Sequence, residues 1–238
     1  MDKEVLNEIL RKHKLWLNYD PNGKRADLEG VNLEGAYLKN ANLKNANLKS
    51  ANLEGANLIG ANLIGTHLKD AYLAGAHLKY ADLEGANLEG AQLEEADLKS
   101  ARLDYADLEG ADLKSADLIG AHLKSADLKG AHLEGAHLEE ASLHEANLAC
   151  AHLKYAYLIG ADLESAHLEA ADLKVADLEG ANLEGTNLEG ANLEGAHLRD
   201  AYLRYTDLKN ANLKGAYLRH ADLGTADLEG ADLEGAKL

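Results

Sequence analysis

The sequence predicts an all-β solenoid, a chain that winds repeatedly around one axis, preceded by a single short helix. A leucine stands at every fifth position from Leu28 to Leu238, 43 in all and without a gap. Alanine stands two residues before 39 of these 43 leucines. Hydrophobic residues make up 46% of the 238 residues, yet Phe is absent and Trp occurs once. The apolar interior must therefore be uniform, built from Leu and Ala, because the varied shapes of an ordinary core are missing.

A period of five fits neither regular secondary structure. Five residues of an α-helix turn about 500°, so successive leucines would circle the helix and define no buried side. In one continuous strand, side chains alternate with period two, and successive leucines would point to opposite faces. If each unit is a short extended piece followed by a tight corner, every Ala and Leu points inward. Glycine occupies the second position after leucine in 20 of 42 units, which suits a corner of unusual φ.

The first 25 residues lack the repeat and predict a helix over residues 3–17. Asp2 is a candidate N-cap, and Pro21-Asn22-Gly23 marks a turn after the helix. We expect the helix to cover the first coil, where leucines and backbone groups would otherwise be exposed. A helix that binds a partner is the alternative. The apolar residues at helical spacing that would make the contact are Leu6, Ile9, Leu10 and Trp16.

The repeating unit Ala-(Asn/Asp)-Leu-x-Gly resembles the pentapeptide-repeat family over residues 26–238. The resemblance implies a right-handed quadrilateral β-helix with four pentapeptides in each coil; the period alone does not distinguish four from three. A coil then has 20 residues, and the repeat supplies nearly eleven coils. The chain divides into a capping helix and turn over residues 1–25 and a pentapeptide-repeat β-helix over residues 26–238.

Charge is distributed unevenly around such a solenoid. The formal net charge is −17, which argues against direct binding of nucleic acid. Each face is named here after its first leucine, and the sums are −8 for the Leu28 face, −6 for the Leu33 face, −1 for the Leu38 face and −4 for the Leu43 face. Acidic and apolar residues predict a candidate partner surface that comprises Asp107, Glu109, Asp127, Ile59, Ile64, Ile119 and Ile159.

No catalytic residue, metal site or cofactor is predicted. The sequence has no glycine-rich phosphate loop, nucleophile motif or metal-binding spacing. Stacked carboxylates such as Asp207 and Asp227 are expected to repel each other and raise the pKa of one, in a structural and solvated role. His132 and His152 are expected to stack in one column, but a straight line of ligands does not close into the tetrahedron that zinc requires.

These features predict a non-enzymatic rigid scaffold or protein-interaction module whose partner is unknown. The alternative is a DNA mimic, since some members of the family bind DNA gyrase and protect it from quinolones. Duplex DNA carries about one charge per 1.7 Å. The repeat carries −19 over a length of about 50 Å, which is a more dilute charge. An enzyme would require a pocket that the repeat does not predict.

The remaining expectations concern compartment and self-association. The longest apolar run has five residues, Tyr155 to Ile159, which is too short for a membrane span, and no signal-peptide pattern is present. With one Cys and no disulfide framework, a cytoplasmic protein is expected. The inward positions Leu233 and Leu238 have no matching cap, which predicts a homodimer that stacks end to end; a frayed end and a truncated chain are the alternatives.

Overall fold

The computed structural model describes all residues from 1 to 238 and contains one helix followed by a β-helix. Helix α1 spans Lys3–Leu17, the bounds that the sequence predicts. From Asp27 onward, each pentapeptide contributes one parallel β-bridge to a residue 20 positions further on, and the last pair is Tyr217 and Lys237. The coil therefore contains 20 residues, or four pentapeptides, as the resemblance implies. No strand is longer than a single bridge because a corner follows each extended piece.

Backbone hydrogen bonds join each coil to both of its neighbours. The residue before leucine donates to the preceding coil, as Asn47 N–H does to the Ala26 carbonyl at 3.0 Å. The leucine donates to the following coil, as Leu48 N–H does to the His67 carbonyl at 2.8 Å. The corner residue also donates to the following coil, and the next Ala N–H closes the turn onto the leucine carbonyl. Four of the five amides in a typical pentapeptide thus have backbone partners.

The preference for Asn or Asp before leucine satisfies the fifth amide. The side-chain oxygen accepts the N–H of the residue two positions later, as Asp107 Oδ1 does from Glu109 N–H at 3.2 Å. The same bond recurs along the chain, for example from Lys129 N–H to Asp127 at 3.1 Å. This Asx turn is the ordinary way in which a short polar side chain supports a corner. Asn and Asp therefore recur at this position because their side-chain oxygen accepts a hydrogen bond from the one backbone amide of the unit that has no backbone partner.

Corner residues other than Thr225 adopt left-handed backbone conformations whether or not they are glycine. Gly180 has φ +64, and Val175, at the preceding corner, has φ 57. A positive φ at the third residue of a turn is found in type II turns. Glycine adopts it without strain, whereas a β-branched residue is an outlier there. The hydrogen bonds to adjacent coils thus impose one backbone shape on chemically different corners.

The interior is one continuous core of leucine and alanine. Most of these side chains are fully buried, including Leu48 and Ala51. Threonine replaces alanine at Thr66, Thr186 and Thr206, all of them buried. The Thr206 hydroxyl donates to the Leu183 carbonyl at 2.8 Å, so its polar atom is satisfied within the core. The opening expectation of a uniform Leu/Ala interior is confirmed.

Helix α1 lies against the first coil. Asp2 is its N-cap and accepts from Glu4 N–H at 2.8 Å and from Val5 N–H at 3.4 Å. Leu6 is buried, and Ile9 and Leu10 pack against the same core while partly buried. Leu6, Ile9 and Leu10 thus lie on the side of the helix that faces the repeat.

His13 is a buried part of this contact that the apolar pattern missed. Its side chain is fully buried, and its Nδ1 accepts from Ala26 N–H at 3.0 Å. The ring stacks on that of Trp16, which is partly exposed, with centroids 5.5 Å apart. Desolvation by burial holds the pKa of His13 below its ordinary value. The imidazole is therefore neutral, and it fixes the start of the repeat beneath helix α1.

Candidate interaction surface

On the acidic Leu28 face, the stacked pair Asp107 and Asp127 is flanked on both sides by asparagine amides. Asp107 and Asp127 form a parallel bridge pair and are partly buried. Asn87 Nδ2 donates to Asp107 at 3.3 Å, and Asn147 Nδ2 donates to Asp127 at 3.0 Å, so each carboxylate has an amide donor in a neighbouring coil. Glu109, beside Asp107, is exposed. The structure therefore brings these three acidic residues together on one wall.

The prediction that stacked carboxylates repel each other and raise the pKa of one is wrong for Asp207 and Asp227. Lys209 Nζ lies 3.4 Å from an Asp207 oxygen and 3.0 Å from an Asp227 oxygen. Its hydrogen bond lowers the pKa of Asp227 instead of raising it. The sequence analysis compared only residues that are 20 positions apart. It therefore overlooked Lys209, which lies two positions after Asp207 and points outward from the same wall.

The four isoleucines do not form one patch. Ile59, Ile119 and Ile159 lie on the Leu38 face, and Ile64 lies on the neighbouring Leu43 face. Ile159 is 41% exposed, whereas the other three are only partly exposed. In the 20-residue register, Ile119 and Ile159 are two coils apart, which is about 10 Å. The isoleucines of the Leu38 face are therefore separate apolar side chains on a nearly neutral wall.

Stacked aromatic pairs lie on the same Leu38 face, and sequence reasoning did not single them out. The rings of His137 and Tyr157 are parallel, with centroids 4.7 Å apart. His197 and Tyr217 meet edge to face at 4.8 Å, and Lys237 Nζ lies 4.0 Å from the Tyr217 ring centre. The signal was available, because the members of each pair are 20 residues apart. The Leu38 face thus combines low charge with aromatic surface.

An open groove of about 760 Å³ separates part of helix α1 from the first coil. Its walls include Leu6 and Leu10 from the helix and Leu33 and Tyr37 from the repeat. The titratable side chains at its rim are Lys3, Glu34 and Tyr37. The groove is therefore mainly an apolar recess that results from imperfect contact between a helix and a flat coil.

The predicted end-to-end residues are exposed. Leu233 is 38% exposed and Leu238 is 83% exposed, in contrast to the buried leucines of the preceding coils. Helix α1 lacks the length and hydrophobicity that a membrane span requires. Cys150 is an exposed free thiol at a corner, with φ 58.

The five-residue periodicity agrees with a comparison of the chain with protein families. A model of pentapeptide repeats matches in successive segments that together extend from residue 24 to residue 235. The chain belongs to the pentapeptide-repeat family. Membership accounts for the repeated Ala, Asn/Asp and Leu positions of this pentapeptide-repeat protein across almost all of the chain beyond helix α1.

Solved structures of other pentapeptide-repeat proteins are similar to this chain. HetL from the cyanobacterium Nostoc sp. strain PCC 7120, a protein involved in regulation of heterocyst differentiation, is 37% identical, with 93% of this chain and 94% of HetL covered and a TM-score of 0.46. Full-length QnrB1, a plasmid-mediated fluoroquinolone resistance protein, is 23% identical, with 79% and 91% covered and a TM-score of 0.36. A pentapeptide-repeat protein of the Arabidopsis thaliana thylakoid lumen is 31% identical, with 46% and 63% covered and a TM-score of 0.29. A comparison with curated proteins gives no match.

Proposed function

We propose that this pentapeptide-repeat protein is a non-enzymatic rigid scaffold that binds a protein partner through its side walls. In this proposal residues 26–238 form a right-handed quadrilateral β-helix of nearly eleven coils, and residues 1–25 cap its first coil. One observation carries the proposal: walls with the same backbone differ in chemistry, from −8 on the Leu28 face to −1 on the Leu38 face. A fold of stacked repeats holds the side chains of each wall at fixed spacing, so each wall can form an extended binding surface of its own.

The Leu28 face is the wall that we assign to the partner. Its carboxylates are held in place, because Asp107 and Asp127 each accept a hydrogen bond from a backbone amide of their own corner. Little side-chain entropy is then lost on binding, which lowers the cost of association. A basic protein surface is the complement that such a wall favours.

Two Asp→Asn double variants, one on each of two faces, test this assignment. Replacing Asp107→Asn and Asp127→Asn removes two negative charges and keeps an oxygen that can support each corner, since Asn87 and Asn147 occupy the same column. The matched control carries the same Asp→Asn substitutions at Asp97 and Asp117, a stacked pair on the Leu38 face. We expect quantitative cross-linking in a lysate of the source cells to lose specific partners with the first variant only. Equal losses with both variants would refute the assignment to the Leu28 face.

A DNA mimic is the second candidate function, favoured by the concentration of acidic residues on this one face. In that case the wall replaces the phosphates of duplex DNA in a site of DNA gyrase or another nucleic-acid-binding protein. A supercoiling assay with purified gyrase tests it directly. We expect inhibition or quinolone protection by the wild type at micromolar concentration, and loss of it with the Asp107→Asn, Asp127→Asn variant. Unaltered gyrase activity with the wild type would exclude gyrase as the target.

The proposal retains two further expectations. Two copies associate through the exposed Leu233 and Leu238, and a Leu233→Lys variant shifts the protein toward monomer in sedimentation. A single monomeric species of the wild type at high concentration would contradict this. The compartment is the cytoplasm, supported by a chain that has one exposed free cysteine and no disulfide. Fractionation of source cells is the measurement.

A further inference from the structure

Three ligand-bearing side chains converge on the Leu33 face. His132 and His152 form a parallel bridge pair, and their rings stack with centroids 4.8 Å apart and planes within 5°. Glu134 lies beside them, because it follows the inward Leu133 and points out of the same wall. One ligand atom from each of His132, Glu134 and His152 lies within 4.8 Å of the others. The three atoms form a triangle, not the straight column that the 20-residue spacing suggested.

The neighbouring lysines are engaged elsewhere. Lys114 Nζ lies 2.9 Å from Asp112 in the coil before the cluster. Lys154 Nζ lies 3.1 Å from Asp172 in the coil after it. Both aspartates belong to the histidine column, and each is bound to a lysine of the Glu134 column. No lysine forms an ion pair with Glu134, so the cluster has one negative charge and two imidazoles available for a cation.

Two polar atoms of the cluster are buried without a hydrogen-bond partner. They are Nδ1 of His132 and Oε2 of Glu134. Nδ1 of His132 lies 3.6 Å from Oε1 of the same glutamate, beyond hydrogen-bond distance. Buried polar atoms without partners cost free energy. A bound cation would satisfy both atoms at once.

We propose that His132, Glu134 and His152 bind one divalent transition-metal ion of the zinc class. Two imidazoles and a carboxylate are ligands that zinc accepts, and three protein ligands leave a fourth position for water. Tetrahedral zinc with Zn–N distances of about 2.0–2.1 Å holds its ligands about 3.3 Å apart. To reach that size, the His132 and His152 rings must rotate out of their parallel stack so that one nitrogen of each ring faces the ion. The ion then joins two adjacent coils from the outside.

The chain contains a close control for this site. His137 and Glu139 repeat the same spacing on the next wall, with Nδ1 and Oε1 3.2 Å apart. The coil above presents Tyr157 instead of a second histidine. A His-x-Glu pair by itself is thus present in both places. An unpartnered buried Oε2 is also present in Glu139, but Nδ1 of His137 contacts Glu139. The proposed site therefore differs from the control by the second imidazole, His152, and by the unpartnered Nδ1 of His132.

Zinc titration of the full, chelator-treated chain tests the proposal. The variants are His132→Gln, His152→Asn and Glu134→Ala, with His137→Asn as control; each new residue already occupies the same column, at Gln92, Asn192, Ala74 and Asn57. We expect the wild type to bind one zinc ion in a calorimetric titration. Each of the three variants should bind it at least tenfold more weakly, since loss of even an outer-shell partner costs 10–100-fold. The His137→Asn control should bind zinc as the wild type does.

Cobalt(II) provides a second measurement, because a tetrahedral site gives it intense visible absorption. We expect that absorption in the wild type and in His137→Asn, and its loss in His152→Asn. Circular dichroism of the metal-free proteins verifies that all variants remain folded. Equal zinc affinity in the wild type and His152→Asn, or an equal loss of affinity in His137→Asn, would overturn the proposal in favour of scattered surface binding.

Discussion

Replacing Gly23→Ala should detach helix α1 while leaving the repeat folded. A Cβ atom at this position would lie 2.2 Å from Trp16 N and 2.4 Å from Trp16 Cα. These are backbone atoms, so no side-chain rotation removes the clash. The helix must move away from the turn that follows it. The substitution therefore acts on the contact between α1 and the turn that leads into the first coil.

The size of the effect follows from the contacts of the helix. An extra methyl group in a packed site costs about 1–3 kcal/mol. Burial of Leu6, the one buried aliphatic side chain of α1, contributes up to about 1.5–3 kcal/mol, with smaller contributions from the partly buried Ile9 and Leu10. The clash thus removes much of the docking free energy. The detached population should rise about 5- to 150-fold, at 1.4 kcal/mol for each factor of ten.

Trp16 is the only tryptophan of the chain, so its emission reports on α1 alone. We expect a red-shifted emission in Gly23→Ala, with little change in the circular dichroism of the repeat. Gly180→Ala is the control: its φ is +64, and no atom lies within 4 Å of the added Cβ. It should strain the repeat by about 1–2 kcal/mol without altering Trp16 emission. Unshifted emission in Gly23→Ala, or the same shift in Gly180→Ala, would refute the reasoning.

Three other predictions concern single groups. Burial lowers the pKa of His13, so docking of α1 should be stable above about pH 6.5, the ordinary histidine value, and should weaken as the pH falls below it. Trp16 emission should follow this pH dependence, and His13→Gln should remove it. A pH dependence of the emission that persists in His13→Gln would contradict the prediction. Thr206→Ala removes one buried hydrogen bond worth about 1 kcal/mol and should lower the melting temperature by about 2–4 °C; an unchanged temperature would show that the bond contributes nothing. Val175→Gly relieves a left-handed β-branched corner and should raise the melting temperature by a similar amount. An unchanged or lower melting temperature would contradict this.

The repeat was predictable because one requirement recurs in every unit. Leucine must point inward after each corner, and this alone predicts a solenoid. The 20-residue register required the resemblance to a family, since a period of five is compatible with other numbers of units per coil. Corner conformation was predictable where glycine occurs. At Val175 it was not, because the hydrogen bonds of the adjacent coils impose a backbone shape that the side chain disfavours.

The exceptions to the repeat were harder to predict. Leu6, Leu10 and Trp16 follow helical spacing, but His13 lies on the same side of the helix and was passed over as polar. Its burial depends on the amide of Ala26, a partner that helical periodicity does not reveal. The Glu134 ligand was missed for a related reason. Columns were read at intervals of 20 residues, whereas neighbours on one wall also lie two residues apart.

The 20-residue register also constrains how the gene can change in length. Each coil is bonded only to the coils before and after it. Duplication or loss of 60 nucleotides therefore lengthens or shortens the rod and leaves every downstream residue on its own face. Duplication or loss of 15 nucleotides preserves every buried leucine but moves all downstream residues onto the adjacent face. A single short slippage event can thus break an acidic wall at one point and continue it around the corner, without disturbing the core.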